Sequence, residues 1–163
     1  MLNMTTKIIG CIGKCTSGLT LEELDQITDN INQTLQHPKG RDVFRKYLNL
    51  SHRNDDLECL ELYEICTKIA DKEEKYFKTT KEPTLDDLKN DVNGAMALAE
   101  DLDVPEIDLS IMLRFNEAVN SESREAMLNI LQDTKLRLLD HLRNAHKGFR
   151  TYALKPCPNS KQK

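Results

Sequence analysis

HPKGRDVFRKYLNLSHRNDDLECLELYEICTKI, residues 37–69, holds two amphipathic patterns in succession. Pro38-Lys39-Gly40 reads as a tight turn. From Arg41 to about Leu50, the residues Val43, Phe44, Tyr47 and Leu48 recur at helical spacing and share one face. A polar break follows at Ser51-His52-Arg53-Asn54. Beyond it Leu57, Leu60, Tyr63, Cys66, Ile69 and Ala70 repeat the spacing over a longer helix, with Asn54 able to cap its start. A helix–hinge–helix unit of this kind fixes the class as all-α.

The composition agrees. Charged residues make up 31 % of the 163, while 6 Gly and 5 Pro are too few for the many turns of a β sandwich. That length suffices for one core without metals or disulfides. A net charge of -4 argues against generic nucleic-acid binding, and the absence of Trp argues against a base-stacking platform. The five Cys, at positions 11, 15, 59, 66 and 157, form no CxxC pair and read as free thiols in a reducing compartment. No run approaches the ~18 apolar residues of a spanning helix. The stretch around Ile8-Ile9 is too short for a secretory core, and the Met-Leu start lacks the Gly of a myristoylation signal. The expectation is a cytoplasmic protein, with peripheral membrane contact reserved for acylation of Cys11 or Cys15 in the N-terminal arm.

Taken in order, residues 1–19 are a poorly patterned arm, 20–154 a single helical domain and 155–163 a polar tail. Thr20 and Glu23 form a capping box for a helix whose stripe is Leu21, Leu24, Ile27, Ile31 and Leu35, ending before Pro38. Asp71 to Lys81 reads as an exposed charged connector. Thr84 with Asp87 opens the next helix, faced by Leu85, Leu88, Val92, Ala95, Met96 and Ala99. After the loop at 101–105, a short helix from about Ile107 carries Leu109, Met112, Leu113 and Phe115. Ser121 or Ser123 caps a long final helix that Gly148 ends.

No constellation requires catalysis. His141 and His146 stand at i and i+5, on different helical faces, which disfavours a shared metal. Asp101, Asp103, Glu106 and Asp108 lack the central Gly and final bidentate Glu of an EF-hand. Asp55 and Asp56 suit a helix N-terminus, where acids complement the macrodipole. Cys59 and Cys66 lie two turns apart among Leu60 and Tyr63, where a free Cys packs as a small hydrophobe. The reading is a non-enzymatic binding domain with no cofactor and no metal.

Four segments narrow it: HPKGRDVFRKYL (37–48), NDDLECLELYE (54–64), VPEIDLS (104–110) and DTKLRLL (133–139). In this order they resemble four segments of the regulator of G-protein signalling (RGS) domain, over roughly Leu35 to Leu154. The resemblance implies a single bundle of about eight or nine helices that docks on the switch regions of a G-protein α subunit. Members of that family speed GTP hydrolysis by favouring the transition-state form of the switches, donating no catalytic side chain. By position the resemblance nominates Asp55, Asp56, Asp108, Asp133, Thr134 and Arg137 as partner-contacting residues.

The departures from the family carry chemical meaning. Asp56 and Asp108 stand where the family has Asn, and Leu60 where it has Trp. An ionised Asp accepts hydrogen bonds but donates none, and it adds charge near a nucleotide phosphate. The resemblance therefore implies Gα binding with GTPase acceleration in doubt. The alternatives are a helical scaffold for another protein or peptide, and, from a different class, a small-molecule carrier, which needs a sizeable apolar cavity.

Overall fold

The computed structural model describes residues 19–77 and 84–154. The arm before Leu19 and the tail from residue 155 lie outside them. The described residues are all-helical, with seven helices: α1 (Leu21–Ile27), α2 (Ile31–Gln36), α3 (Pro38–Leu50), α4 (Asn54–Phe77), α5 (Leu85–Asp101), α6 (Leu109–Ser121) and α7 (Arg124–Ala153). None is long and apolar enough to cross a membrane. Two compact units divide the chain. Of the described residues, the first takes in 19–57 and 142–154, and the second 58–77 and 84–141.

In the first unit the helix expected from Thr20 to the approach of Pro38 is two helices. The Thr20 capping box forms as the sequence predicts, with reciprocal bonds to Glu23 of 2.9 and 3.0 Å. At Thr28 the hydroxyl donates to the Leu24 carbonyl at 2.8 Å, and Asn30 caps a new helix by accepting from Gln33 N–H at 2.9 Å. Side chains that bond their own backbone compete with the helix ladder, and the Thr-Asp-Asn run breaks it. Leu24, Ile31 and Leu35 are buried all the same.

Pro38 opens α3 instead of belonging to a turn. The residue before a proline is pushed out of the α region, and His37 is extended at φ −104°, ψ 128°. Proline itself is favoured at the first helical position. Gly40 then lies inside the helix because there is no room for a side chain. A Cβ would stand 2.4 Å from the Thr34 carbonyl oxygen and 2.7 Å from Ile27 Cγ2. The far end of α3 closes in a Schellman turn: His52, at φ 58°, donates to Asn49 O at 3.2 Å, and Arg53 donates to Leu48 O at 3.0 Å.

Gly148 does not end α7, which continues to Ala153. Tyr47 lies across Gly148, its hydroxyl 2.5 Å from where a Cβ would be. Around that crossing Phe44, Tyr47, His146, Phe149 and Tyr152 pack with ring centroids 4.9 to 5.8 Å apart. Phe44 and Phe149 are fully buried, each stabilising the fold by roughly 1.5–3 kcal/mol through area removed from water.

The second unit is built from the later part of α4, α5, α6 and the first part of α7. α4 runs on to Phe77 through what the sequence suggests is a connector. Its buried face includes Leu60, Leu62, Tyr63, Cys66 and Ile69, while Leu57 is only half-buried. Asn54 is the first residue of α4, not its cap. Thr84 caps α5 by accepting from Asp87 N–H at 3.1 Å, and Ser123 does the same for α7 from Ala126 N–H at 3.1 Å. α5 packs on α6. The buried face of α6 is Ile111, Phe115, Ala118 and Val119, while Leu109 and Leu113 stand 73 % and 55 % exposed.

Candidate interaction surface

Three of the sequence-nominated residues, Asp108, Asp133 and Arg137, lie in the second unit on α6 and α7 or at their ends, and Asp108 and Arg137 meet. Asp133, Arg137 and His141 recur every fourth residue on α7, which lines them up on one face. Arg137 donates through Nη1 to the Glu106 carbonyl and to Asp108 Oδ1, both at 3.1 Å. One turn further, His141 Nδ1 and Glu106 Oε1 are 2.8 Å apart. Asp133 is ion-paired with Arg114 on α6. The loop between α5 and α6 is thus fastened to α7 by two successive side chains of that helix.

Asp108 serves two structures at once. Its Oδ1 caps α6 by accepting from Ile111 N–H at 3.1 Å, and the same oxygen receives Arg137. The Ile111 amide, joined by the Arg137 charge, holds its carboxyl below the ordinary Asp value against slight desolvation. An Asn there would cap the helix too, but without the charge that retains Arg137.

Thr134, nominated with its neighbours, is fully buried, and its hydroxyl donates to the Ile130 carbonyl at 2.7 Å. It has no surface to offer a partner. Asp55 and Asp56 belong to the first unit, at the start of α4. Asp55 is exposed, whereas Asp56 is 6 % exposed and accepts from Arg53 Nε at 2.6 Å.

Other buried polar groups lie outside this surface. Glu73 is buried in the second unit, paired through Oε1 with Arg124, while its Oε2 has no hydrogen-bond partner among the described residues. In the first unit His146 Nε2 and Thr34 Oγ1 are 2.7 Å apart. The Thr34 hydroxyl has one proton, and the Ile27 carbonyl at 2.8 Å is a ready acceptor for it. Thr34 then accepts from His146, which fixes the Nε2–H tautomer. Burial, reinforced by the charge of Arg150 and opposed by Asp29, pushes the His146 pKa down to about 4. Burial likewise pushes the Cys66 thiol up to about 12 against the opposing charge of Lys135. Such a thiol is protonated at neutral pH and inert as a nucleophile.

The first unit also has a cavity of about 560 Å³ lined by Leu19, Glu23, Gln26, Ile27, Gln33, His37, Pro38 and Lys39. Its walls are largely apolar, but it is a cleft open to solvent, unlike the enclosed chamber that buries most of a carried ligand.

No family model, curated protein or solved structure matches the chain.

Proposed function

We propose that this chain is a helical protein-interaction domain of RGS-like character that binds a G-protein α subunit, without the acceleration of GTP hydrolysis. What supports the reading is Arg137, which ties the VPEIDLS and DTKLRLL segments together through Glu106 and Asp108. Two of the four segments that carry the resemblance thus form one continuous surface, with Asp108 exposed and Asp133 and Arg137 half-exposed. An Asp at 108, already engaged by Arg137 and by the α6 amide, has no hydrogen to donate to a switch region. Binding without catalysis follows from that chemistry.

A second reading, a helical scaffold for a different protein, is favoured by the withdrawal of Asp56 and Thr134 from the surface. Nucleotide-state dependence separates the two. The experiment measures binding to Gα subunits in GDP, GDP-aluminium-fluoride and GTP-analogue states, alongside single-turnover GTP hydrolysis. Gα binding that is lost in Arg137→Glu, with hydrolysis unchanged by the wild-type chain, is the expected result. No binding in any state by the folded protein would reject the Gα reading in favour of the scaffold.

A further inference from the structure

From Asn90 to Leu113 the chain has Asp91, Glu100, Asp101, Asp103, Glu106 and Asp108, and neither Lys nor Arg. Three of these acids are engaged: Asp91 by Lys72, Glu106 by His141 and Asp108 by Arg137. Glu100, Asp101 and Asp103 are exposed, and no cation among the described residues is paired with them. They sit at the end of α5 and in the loop that delivers the chain to α6.

The same region holds most of the exposed large apolar side chains. Of the five among the described residues, Leu98 lies near the end of α5, and Leu109 and Leu113 lie on α6. Leu109 and Leu113 are one helical turn apart and therefore share a face. That face is turned away from the buried Ile111, Phe115 and Val119. Two exposed leucines on one helical face, preceded in the chain by three unpaired acids and followed by an Arg114 already paired with Asp133, mark a candidate interaction site.

We propose that Leu109 and Leu113, with the acidic turn before them, form a docking face for a cationic amphipathic helix of a partner protein. The occupant's own apolar side chains, spaced one turn apart, cover the two leucines, and its Lys and Arg lie against Glu100, Asp101 and Asp103. Charge decides among occupants. A second copy brings the same acids to the same place and is repelled, and an anionic lipid surface is repelled likewise. The face adjoins Asp108 but does not depend on recognition of a G protein, and its test leaves Arg137 untouched.

The test titrates the full chain into a fluorescein-labelled Leu/Lys peptide of about four helical turns, with its leucines on one face, and reads anisotropy. The wild type binds. The double variant Leu109→Ser, Leu113→Ser, exposed at both positions and checked for an unchanged helical CD spectrum, binds about tenfold more weakly or worse. The pair Asp101→Asn, Asp103→Asn weakens binding and flattens its salt dependence. A peptide of the same composition with leucines scattered around the helix binds about tenfold more weakly. No binding by the wild type, equal affinity for both peptides, or equal affinity of the wild type and the double Ser variant would overturn the proposal. So would a dimer in sedimentation that disappears in that variant, because the face would then serve a second copy.

Discussion

Lowering the pH from 7.5 to 4 should destabilise the protein through His146, by an amount that follows from its surroundings. In the fold the imidazole is 6 % exposed, packed against Phe44 and Phe149, with Arg150 one turn further along α7. Its Nε2–H is committed to Thr34, so a second proton must enter at Nδ1. The folded pKa of about 4 lies below the unfolded value of 6.5. Above pH 6.5 the ring is neutral in both states and contributes nothing to the pH dependence. Between 6.5 and 4 the unfolded chain binds a proton that the fold refuses, and stability falls. Below 4 both states are charged and the loss levels off. At ~1.4 kcal/mol per unit, the total is about 3 kcal/mol, a large share of the 5–15 kcal/mol typical of a domain. Urea unfolding of the wild type and of His146→Phe, followed by CD because the chain has no Trp, supplies the test. Carboxylates titrate in both proteins, so the difference isolates the imidazole. The stability of the wild type relative to the variant should drop by about 3 kcal/mol from pH 7.5 to 4. Parallel pH profiles, or an imidazole that titrates near 6.5 by NMR in the folded protein, would refute the reasoning.

Three further outcomes are expected. Alanine should act oppositely at two helical glycines. Gly94→Ala, where a Cβ meets nothing within 4 Å, should stabilise by about 0.5–1 kcal/mol, and Gly40→Ala, which drives a Cβ into the Thr34 carbonyl, should destabilise by roughly 2–3 kcal/mol in thermal unfolding. At the left-handed position of the Schellman turn, His52→Gly should raise stability by about 0.5–1 kcal/mol in the same assay. Cys66 should resist iodoacetamide at pH 8 in the folded chain and react once urea unfolds it, read by peptide mass spectrometry. Rapid alkylation in the native state would contradict the burial that raises its pKa.

The class of the fold and most helix starts were legible in the sequence. The 3.6-residue period lies within each segment, and caps such as Thr20 and Thr84 act over three residues, so both are written locally. Helix ends were harder to read. Asp71 to Phe77 looks like a solvated connector, yet α4 continues through it because Glu73 finds Arg124, fifty-one residues on. Gly148 looks like a stop, and its role instead is to let Tyr47 pass. On α6, Leu109 and Leu113 fit a helical stripe as well as Ile111 and Phe115 do, and periodicity alone does not say which stripe turns inward.

The candidate surface divides in the same way. That Asp108 caps a helix is a local fact, although the sequence pattern places the helix start at about Ile107 and so misses the cap. That Arg137 and His141 close on Glu106 is decided by the passage of α7 beside the α5–α6 loop, a pairing over about thirty residues that no spacing rule encodes. Thr134 shows the limit of motif position, because one step along a helix turns a side chain by about 100° and takes it from the surface to the core. His146 is a further case: its buried imidazole meets its partner Thr34 across 112 positions. Sequence by itself determined where helices form, since that energy is local. Tertiary structure decided which polar groups leave water and which partners they find, since desolvation depends on the whole surrounding shell.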